Sequence, residues 1–214
     1  MSVRVTALLC PDCGQALLGL RYDRVFFCLT CGQGLDPAEG GWERYPVTAA
    51  QPADSREVPR FYLPLWRFEV EATFASANRR QEVAARRLDD LTVIWVSAFN
   101  MLRPSYYGDL GLLYTEKKVA PVPAERPVPG RFIAGCARSR TDAERYTSLF
   151  ATYILDKRAD VTGMTIAVAV TDAAIWAIPF VEYGDKAVDM VSGAELPVFS
   201  LDDLEDLKRI NRLK

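Results

Sequence analysis

From Trp66 onward the chain alternates strictly, with Trp66, Phe68, Val70, Ala72 and Phe74 separated by Arg67, Glu69, Glu71 and Thr73. A period of two carried by aromatic and branched residues predicts a half-buried strand. Leu91–Phe99 reads as a second strand. Met164–Val170 and Ala173–Tyr183 predict two more, divided by a turn at Thr171-Asp172. Gly184-Asp185 then predicts a hairpin turn into Lys186–Val191, and Ser192-Gly193 a turn into Ala194–Phe199.

Helical spacing appears in fewer places. Thr141-Asp-Ala-Glu144 has the form of a capping box, in which the threonine hydroxyl and the glutamate satisfy free N–H groups of a first turn. Behind it Ala143, Tyr146, Leu149, Phe150, Tyr153 and Ile154 predict an apolar face, through about Lys157, that lies on the sheet. Asn78–Asp90 is dominated by arginines and acids and predicts a loop or a short exposed helix. Tyr106–Gly111 reads as a turn with an apolar continuation to Tyr114, and Val119–Pro129, rich in proline, as an extended surface segment. At the end of the chain Ser200 is a cap, with acids following it and bases last, as the helix dipole favours. Leu201, Leu204, Leu207, Ile210 and Leu213 recur every third residue along this terminal helix. Its apolar row has two destinations, the chain's own sheet or a partner's groove.

In the amino-terminal part Gln15–Tyr22 and Arg24–Phe27 read as short strands, and the stronger signal is chemical. Four of the five cysteines form Cys10-Pro-Asp-Cys13-Gly14 and Cys28-Leu-Thr-Cys31-Gly32. Two C-x-x-C pairs, each followed by glycine, let four thiolates converge on one ion while the backbone folds back. Cys10, Cys13, Cys28 and Cys31 are therefore expected to bind zinc, with a single iron as the alternative and disulfides as a third reading. Four thiolates complete a tetrahedron and leave no open position, so the site is read as structural. The expected organisation is a zinc ribbon over residues 1–45, a proline-bearing linker over 46–59, and a β-rich domain with a terminal helix over 60–214. The fold class is α+β: a zinc ribbon plus a mainly antiparallel β domain with one packed helix and a C-terminal helix.

Composition narrows the function classes. The chain has 214 residues, a formal charge of -2 and no histidine. That balance gives no basic field for a phosphate backbone, and the missing imidazole removes the commonest general base. The usual nucleotide-binding, nucleophile-elbow and metalloprotease motifs are absent from the sequence. The first apolar residues are too few for a signal peptide, which predicts a cytoplasmic location. Met164–Val181 is apolar, but Asp172 and Pro179 argue against a membrane span. Cys136, beside Arg138 and Arg140, is the candidate nucleophile if the protein is an enzyme, with an inert buried thiol as the plainer reading.

Cys10-Pro-x-Cys13-Gly14, Cys28-x-x-Cys31-Gly32 and Tyr62-Leu-Pro-Leu-Trp66 resemble a group of uncharacterised bacterial zinc-ribbon proteins. In these a ribbon of the general-transcription-factor type precedes a β-rich domain opening on Y-L-P-F-W. Leu65 stands where the group tends to have an aromatic, and no catalytic residue is carried over. The leading expectation is a zinc-binding adaptor that holds an unidentified protein partner, with Leu204, Leu207, Ile210 and Leu213 as the contact row. The competing one is a nucleic-acid-binding ribbon using Arg21, Arg24, Arg44 and Phe26.

Overall fold

The computed structural model describes residues 8–17, 19–20, 22–38, 41–76, 78–86, 91–102, 108–125, 133–201 and 204. Nine strands lie among them: β1 (Phe26–Cys28), β2 (Gln33–Ala38), β3 (Gly41–Ala50), β4 (Phe61–Ala75), β5 (Val93–Ser97), β6 (Pro123–Ala124), β7 (Thr165–Tyr183), β8 (Lys186–Asp189) and β9 (Glu195–Pro197). Three helices accompany them: α1 (Arg79–Arg86), α2 (Leu110–Glu116) and α3 (Arg140–Asp156). The sheet runs β1-β2-β3-β7-β4-β5, with β6 on β3 and the β8–β9 hairpin on β7. Among the described residues the strands pair antiparallel except β3 with β7, and Tyr62 also forms a parallel bridge to Ile133. The fold is thus mixed α+β around a mostly antiparallel sheet.

β7 corrects one sequence expectation. The turn expected at Thr171-Asp172 is a β-bulge inside a single strand of 19 residues. Glu69 pairs with Asp172 and Val70 with Val170, so Thr171 is the extra residue. Its hydroxyl donates to the Glu69 carbonyl at 3.2 Å. The extra residue shifts side-chain parity by one, because successive strand residues point to opposite faces. Ile166, Val168 and Val170 before it and Ala173, Ile175 and Ala177 after it therefore pack towards the same core. A parity change looks like a turn in sequence, and a bulge produces the same change without reversing the chain.

β4 shows how cover on each face sets the pattern. Phe61–Trp66 is buried without interruption, whereas the residues after Phe68 alternate. Trp66 and Phe68, with Ile94, Val96, Ile175 and Ala177, face α3, which contributes Ala143, Phe150, Ala151, Ile154 and Leu155. Phe61, Leu63 and Leu65, with Trp95, Ile178 and Phe180, face the other way, under Leu110 and Tyr114 of α2 and under Leu196, Leu201 and Leu204. A strand covered on both faces reads as a continuous apolar run, and one covered on a single face alternates.

The helices depart from expectation in their details. The N-cap of α3 is Ser139, two residues earlier than the predicted Thr141: the Ser139 hydroxyl accepts the Asp142 N–H at 3.1 Å and donates to the Asp142 carboxylate at 2.8 Å. The buried stripe is rotated accordingly and includes Thr147 and Leu155, while Leu149 and Tyr153 are exposed. α2, expected as a turn with an apolar continuation, is a helix capped by Asp109. It lies along the outer edge of β5 and satisfies that edge with side chains. Thr115 Oγ1 accepts the Trp95 N–H at 2.9 Å, and Asp109 Oδ1 accepts the Ser97 N–H at 3.2 Å. Gly111 permits the approach, since a Cβ there would meet Val96 Cα at 2.5 Å. Lys118 follows the helix with φ +51°, the one non-glycine residue with positive φ among those described. A side chain in that region costs about 1–2 kcal/mol.

Part of the expected linker is strand. Pro46–Ala50 belong to β3, which pairs with β2 on one side and, through Val47–Ala49, with Ile175–Ala177 of β7 on the other. Tyr45 and Ala49 are buried in the α3-side core, as are Val25 and Phe27 from the cysteine-bearing part, so that part shares the main sheet's core. A strand is favoured over a linker here because β7 otherwise presents an unpaired edge. In the expected ribbon, Leu9 and Ala16 form an isolated bridge. At the other end Leu201 and Leu204 are buried against the sheet, while Leu207, Ile210 and Leu213 lie outside the described residues. None of the described helices is long and apolar enough to cross a membrane.

Candidate metal centre

The two C-x-x-C segments fold into matching knuckles. The Gly14 N–H donates to the Cys10 carbonyl at 2.9 Å, and the Gly32 N–H to the Cys28 carbonyl at 2.8 Å. Gly14 and Gly32 have φ of +71° and +67°, the left-handed conformation that glycine adopts without a Cβ penalty. In the second knuckle the Cys31 N–H also points at Cys28 Sγ, at 3.4 Å. Such N–H donors stabilise sulfur in its anionic form. The second knuckle joins β1 to β2, so sheet pairing fixes its orientation. The first is held by the Cys10 N–H to the Gln15 carbonyl, at 2.8 Å, and by the Leu17 N–H to the Leu8 carbonyl, at 2.8 Å.

The knuckles bring Cys10, Cys13, Cys28 and Cys31 together with all four sulfurs within 4.8 Å of one another. Cys10 Sγ is 3.8 Å from Cys31 Sγ, and Cys13 Sγ is 3.5 Å from Cys28 Sγ. Metal–sulfur bonds of about 2.3 Å give a tetrahedron with edges of about 3.8 Å. The spacing therefore fits one ion at the centre, and the four cysteines are free thiols. Their acidities are split. Burial pushes Cys10 up, but the N–H groups of Asp12 and Cys13 and the neighbouring thiols outweigh it and hold it at about 7. Cys31 is pushed up by its hydrogen bond with Cys13 and by burial, and Cys28 by burial. Crowded thiols of this kind ionise together only around a cation.

Contacts around the knuckles lock them to the sheet. Asp12 takes a two-pronged ion pair from Arg44 of β3, with Nη2–Oδ1 at 2.9 Å and Nε–Oδ2 at 3.3 Å. The Arg44 guanidinium holds Asp12 below the usual carboxylate range. Cys10, Leu17, Cys28 and Leu35 form a small buried cluster, with Phe26 set edge-on to Trp42 at 6.3 Å. Val25 bridges to Cys136, whose carbonyl accepts the Arg24 and Val25 N–H groups at 2.8 and 3.0 Å. Farther along β2, burial and the facing Glu43 push Asp36 up to about 6, while it accepts the Arg140 N–H at the start of α3.

No family model, curated protein or solved structure matches this chain. Cys136 is fully buried, donates to the Arg138 carbonyl at 3.3 Å, and is pushed well up by burial. That is the environment of a packing thiol and not of a nucleophile. Of the residues weighed for nucleic-acid contact, Arg44 is ion-paired with Asp12, Phe26 packs on Trp42, and Arg21 lies outside the described residues.

Sequence reasoning passed over a buried polar centre at Asp189. Its carboxylate accepts from the Tyr114 hydroxyl at 2.7 Å, from the Val191 N–H at 2.8 Å and from the Ser192 hydroxyl. Burial pushes both Asp189 and Tyr114 up. Asp189 thereby ties the β8–β9 turn to α2. The Asp-x-x-Ser spacing was the available signal for the local part, but nothing in sequence links position 189 to Tyr114.

Proposed function

We propose that Cys10, Cys13, Cys28 and Cys31 hold one zinc ion in a closed structural site of the zinc-ribbon kind, and that the protein acts as an adaptor by binding another protein. The sulfur spacing carries this reading, because two opposing pairs at 3.8 and 3.5 Å match the edges of a four-thiolate tetrahedron. Bound there, the ion supplies a cross-link between the knuckles and leaves no position for an activated water. Asp12–Arg44 and the N–H groups around the sulfurs orient the ligands, as outer contacts do in metal sites generally. The adaptor role is supported by the all-thiolate donor set and by exposed Leu8, Leu9, Tyr22 and Leu29 in the same amino-terminal part.

Elemental analysis of the purified chain is expected to find about one zinc per molecule, near zero in Cys28→Ser, and an unchanged value in Cys136→Ser. Iron in place of zinc, or no metal, overturns the metal assignment. For the adaptor role, a captured protein repurified alone should rebind the wild-type chain and fail to rebind Leu207→Asp or Cys28→Ser. Salt-sensitive binding to nucleic acid, abolished by Arg24→Gln, would replace the adaptor reading.

A further inference from the structure

The two knuckles differ in how they are held, and the cysteines within each differ in exposure. The second knuckle is fixed between β1 and β2, whose pairing runs from Phe26 with Leu35 to Cys28 with Gln33. The first closes on itself through the Leu9–Ala16 bridge and meets β3 through the exposed Asp12–Arg44 pair, a contact that water weakens. Cys10 and Cys28 are buried, whereas Cys13 and Cys31 are partly exposed. The sulfur contacts at 3.5 and 3.8 Å each join one cysteine of either kind across the gap between knuckles, Cys13 with Cys28 and Cys31 with Cys10.

Resting on the metal assignment above, we propose that these four cysteines are a peroxide-sensitive switch, in which oxidation closes the disulfides Cys13–Cys28 and Cys10–Cys31 and the ion is released. Thiolate is the reacting form of sulfur, and the partly exposed ones meet a small oxidant first. Hydrogen peroxide transfers one oxygen to the Cys13 or Cys31 thiolate, leaving a sulfenic acid and a hydroxide ion. The facing thiolate, Cys28 or Cys10, then attacks that sulfur, forms the S–S bond and expels a second hydroxide. Each pair of thiolates loses two electrons and each reduces one peroxide, so two peroxides convert the set. Closing the bonds takes the sulfurs from 3.5 and 3.8 Å to about 2.05 Å. The lightly held first knuckle supplies that movement while β1 and β2 keep the second in place. A disulfide sulfur carries no negative charge, so the donor set for the ion is lost. Bonds across the gap keep the knuckles joined once the ion has gone, which bonds within each knuckle would not do.

The full chain, its metal content measured first, is treated with hydrogen peroxide beside a chromophoric chelator, alkylated in denaturant and digested with trypsin without reductant. Cleavage after Arg4, Arg21, Arg24 and Arg44 places Cys10 and Cys13 on residues 5–21 and Cys28 and Cys31 on residues 25–44. Release of the bound metal is expected, with loss of four of the five alkylatable thiols and the two peptides joined as one species in mass spectrometry. Partial reduction followed by a second alkylating tag should label Cys13 together with Cys28, and Cys10 together with Cys31. Dithiothreitol with added zinc should restore the metal content. Peptides that stay separate, carrying a disulfide within each knuckle, would overturn the proposal, as would the opposite cross-pairing or metal retained in full after peroxide. A chain that holds no metal before peroxide would overturn the metal assignment and this proposal with it. Cys136→Ser should release its metal as wild type does and keep no alkylatable thiol; retention of metal in this variant would place the oxidation at Cys136 and also overturn the proposal.

Discussion

The cysteine knuckles and the main sheet are stabilised by different means although they share β3. Among the described residues the buried cluster at the knuckles is Cys10, Leu17, Cys28 and Leu35, too small for an independent core. The sheet by contrast is packed on both faces, with Trp66, Phe68 and α3 on one side and Leu65, Phe180 and Tyr114 on the other. One region brings four sulfurs together around a small cluster, and the other buries a large apolar area. β3 joins them by placing Arg44 against Asp12 and, a few residues on, Ala49 in the main core. The difference teaches that a short segment with too small a core of its own can be placed for metal coordination while its ends are held by a larger core.

The largest expected effect comes from cutting through β3. A chain beginning at Ser55 loses Val25, Phe27, Tyr45 and Ala49 from the main core and uncovers one edge of β7. At about 1.5–3 kcal/mol for each large buried side chain, the loss approaches a typical domain's whole stability of about 5–15 kcal/mol. Circular dichroism should show no cooperative melt. A sharp transition in this fragment would mean that the regions are more separable than their shared strand implies.

Next in size is loss of the metal. Cys28→Ser, or chelation of the wild type, should abolish amide protection around the knuckles while β4, β5 and β7 remain protected in hydrogen exchange. Structural zinc contributes roughly 10–16 kcal/mol in small isolated fingers, which is ample to order a segment with so small a cluster. If exchange accelerated equally in β4, the two regions would be one energetic unit and the contrast would fail.

Trp66→Ala tests the other side. Trp66 is fully buried, stacks on Phe68 at 5.8 Å and donates to the Arg138 carbonyl at 3.0 Å. Its removal should cost about 3–5 kcal/mol in denaturant melts with metal content unchanged. A fall in metal content in this variant would show that the sheet organises the knuckles.

The smallest effect sharpens the seam between the regions. Asp36 titrates at about 6 in the folded chain against 3.8 ordinarily, so folding binds its proton more tightly. Stability linked to this group is greatest below pH about 4 and falls as pH rises to about 6, then stays constant. Asp36→Asn keeps an acceptor for the Arg140 N–H and removes the repulsion from Glu43. It should raise the melting temperature modestly at pH 7.5 and have no effect near pH 3.5, as thermal melts at the two pH values would show. Equal shifts at both would assign the effect to packing.

What the sequence determined by itself was local. The C-x-x-C-G spacing named the four sulfurs, because each knuckle is a five-residue structure whose geometry depends on its own glycine. The alternation from Trp66 to Phe74 named a strand, and the Thr141–Lys157 region a helix, because period reflects which neighbours lie on one face. Only the tertiary structure decided the rest. It moved the α3 cap to Ser139 and turned the helix so that Leu149 faces out, since the packed face is chosen by the sheet and not by the helix. It made Thr171 a bulge in place of a turn, because strand parity is the same in both and only the partner β4 distinguishes them. It drew Pro46–Ala50 into β3, since a strand added to an existing edge takes its stability from hydrogen bonds to β7. Tyr114 and Asp189 become neighbours only when the chain closes over the sheet, and no spacing along the sequence encodes that distance.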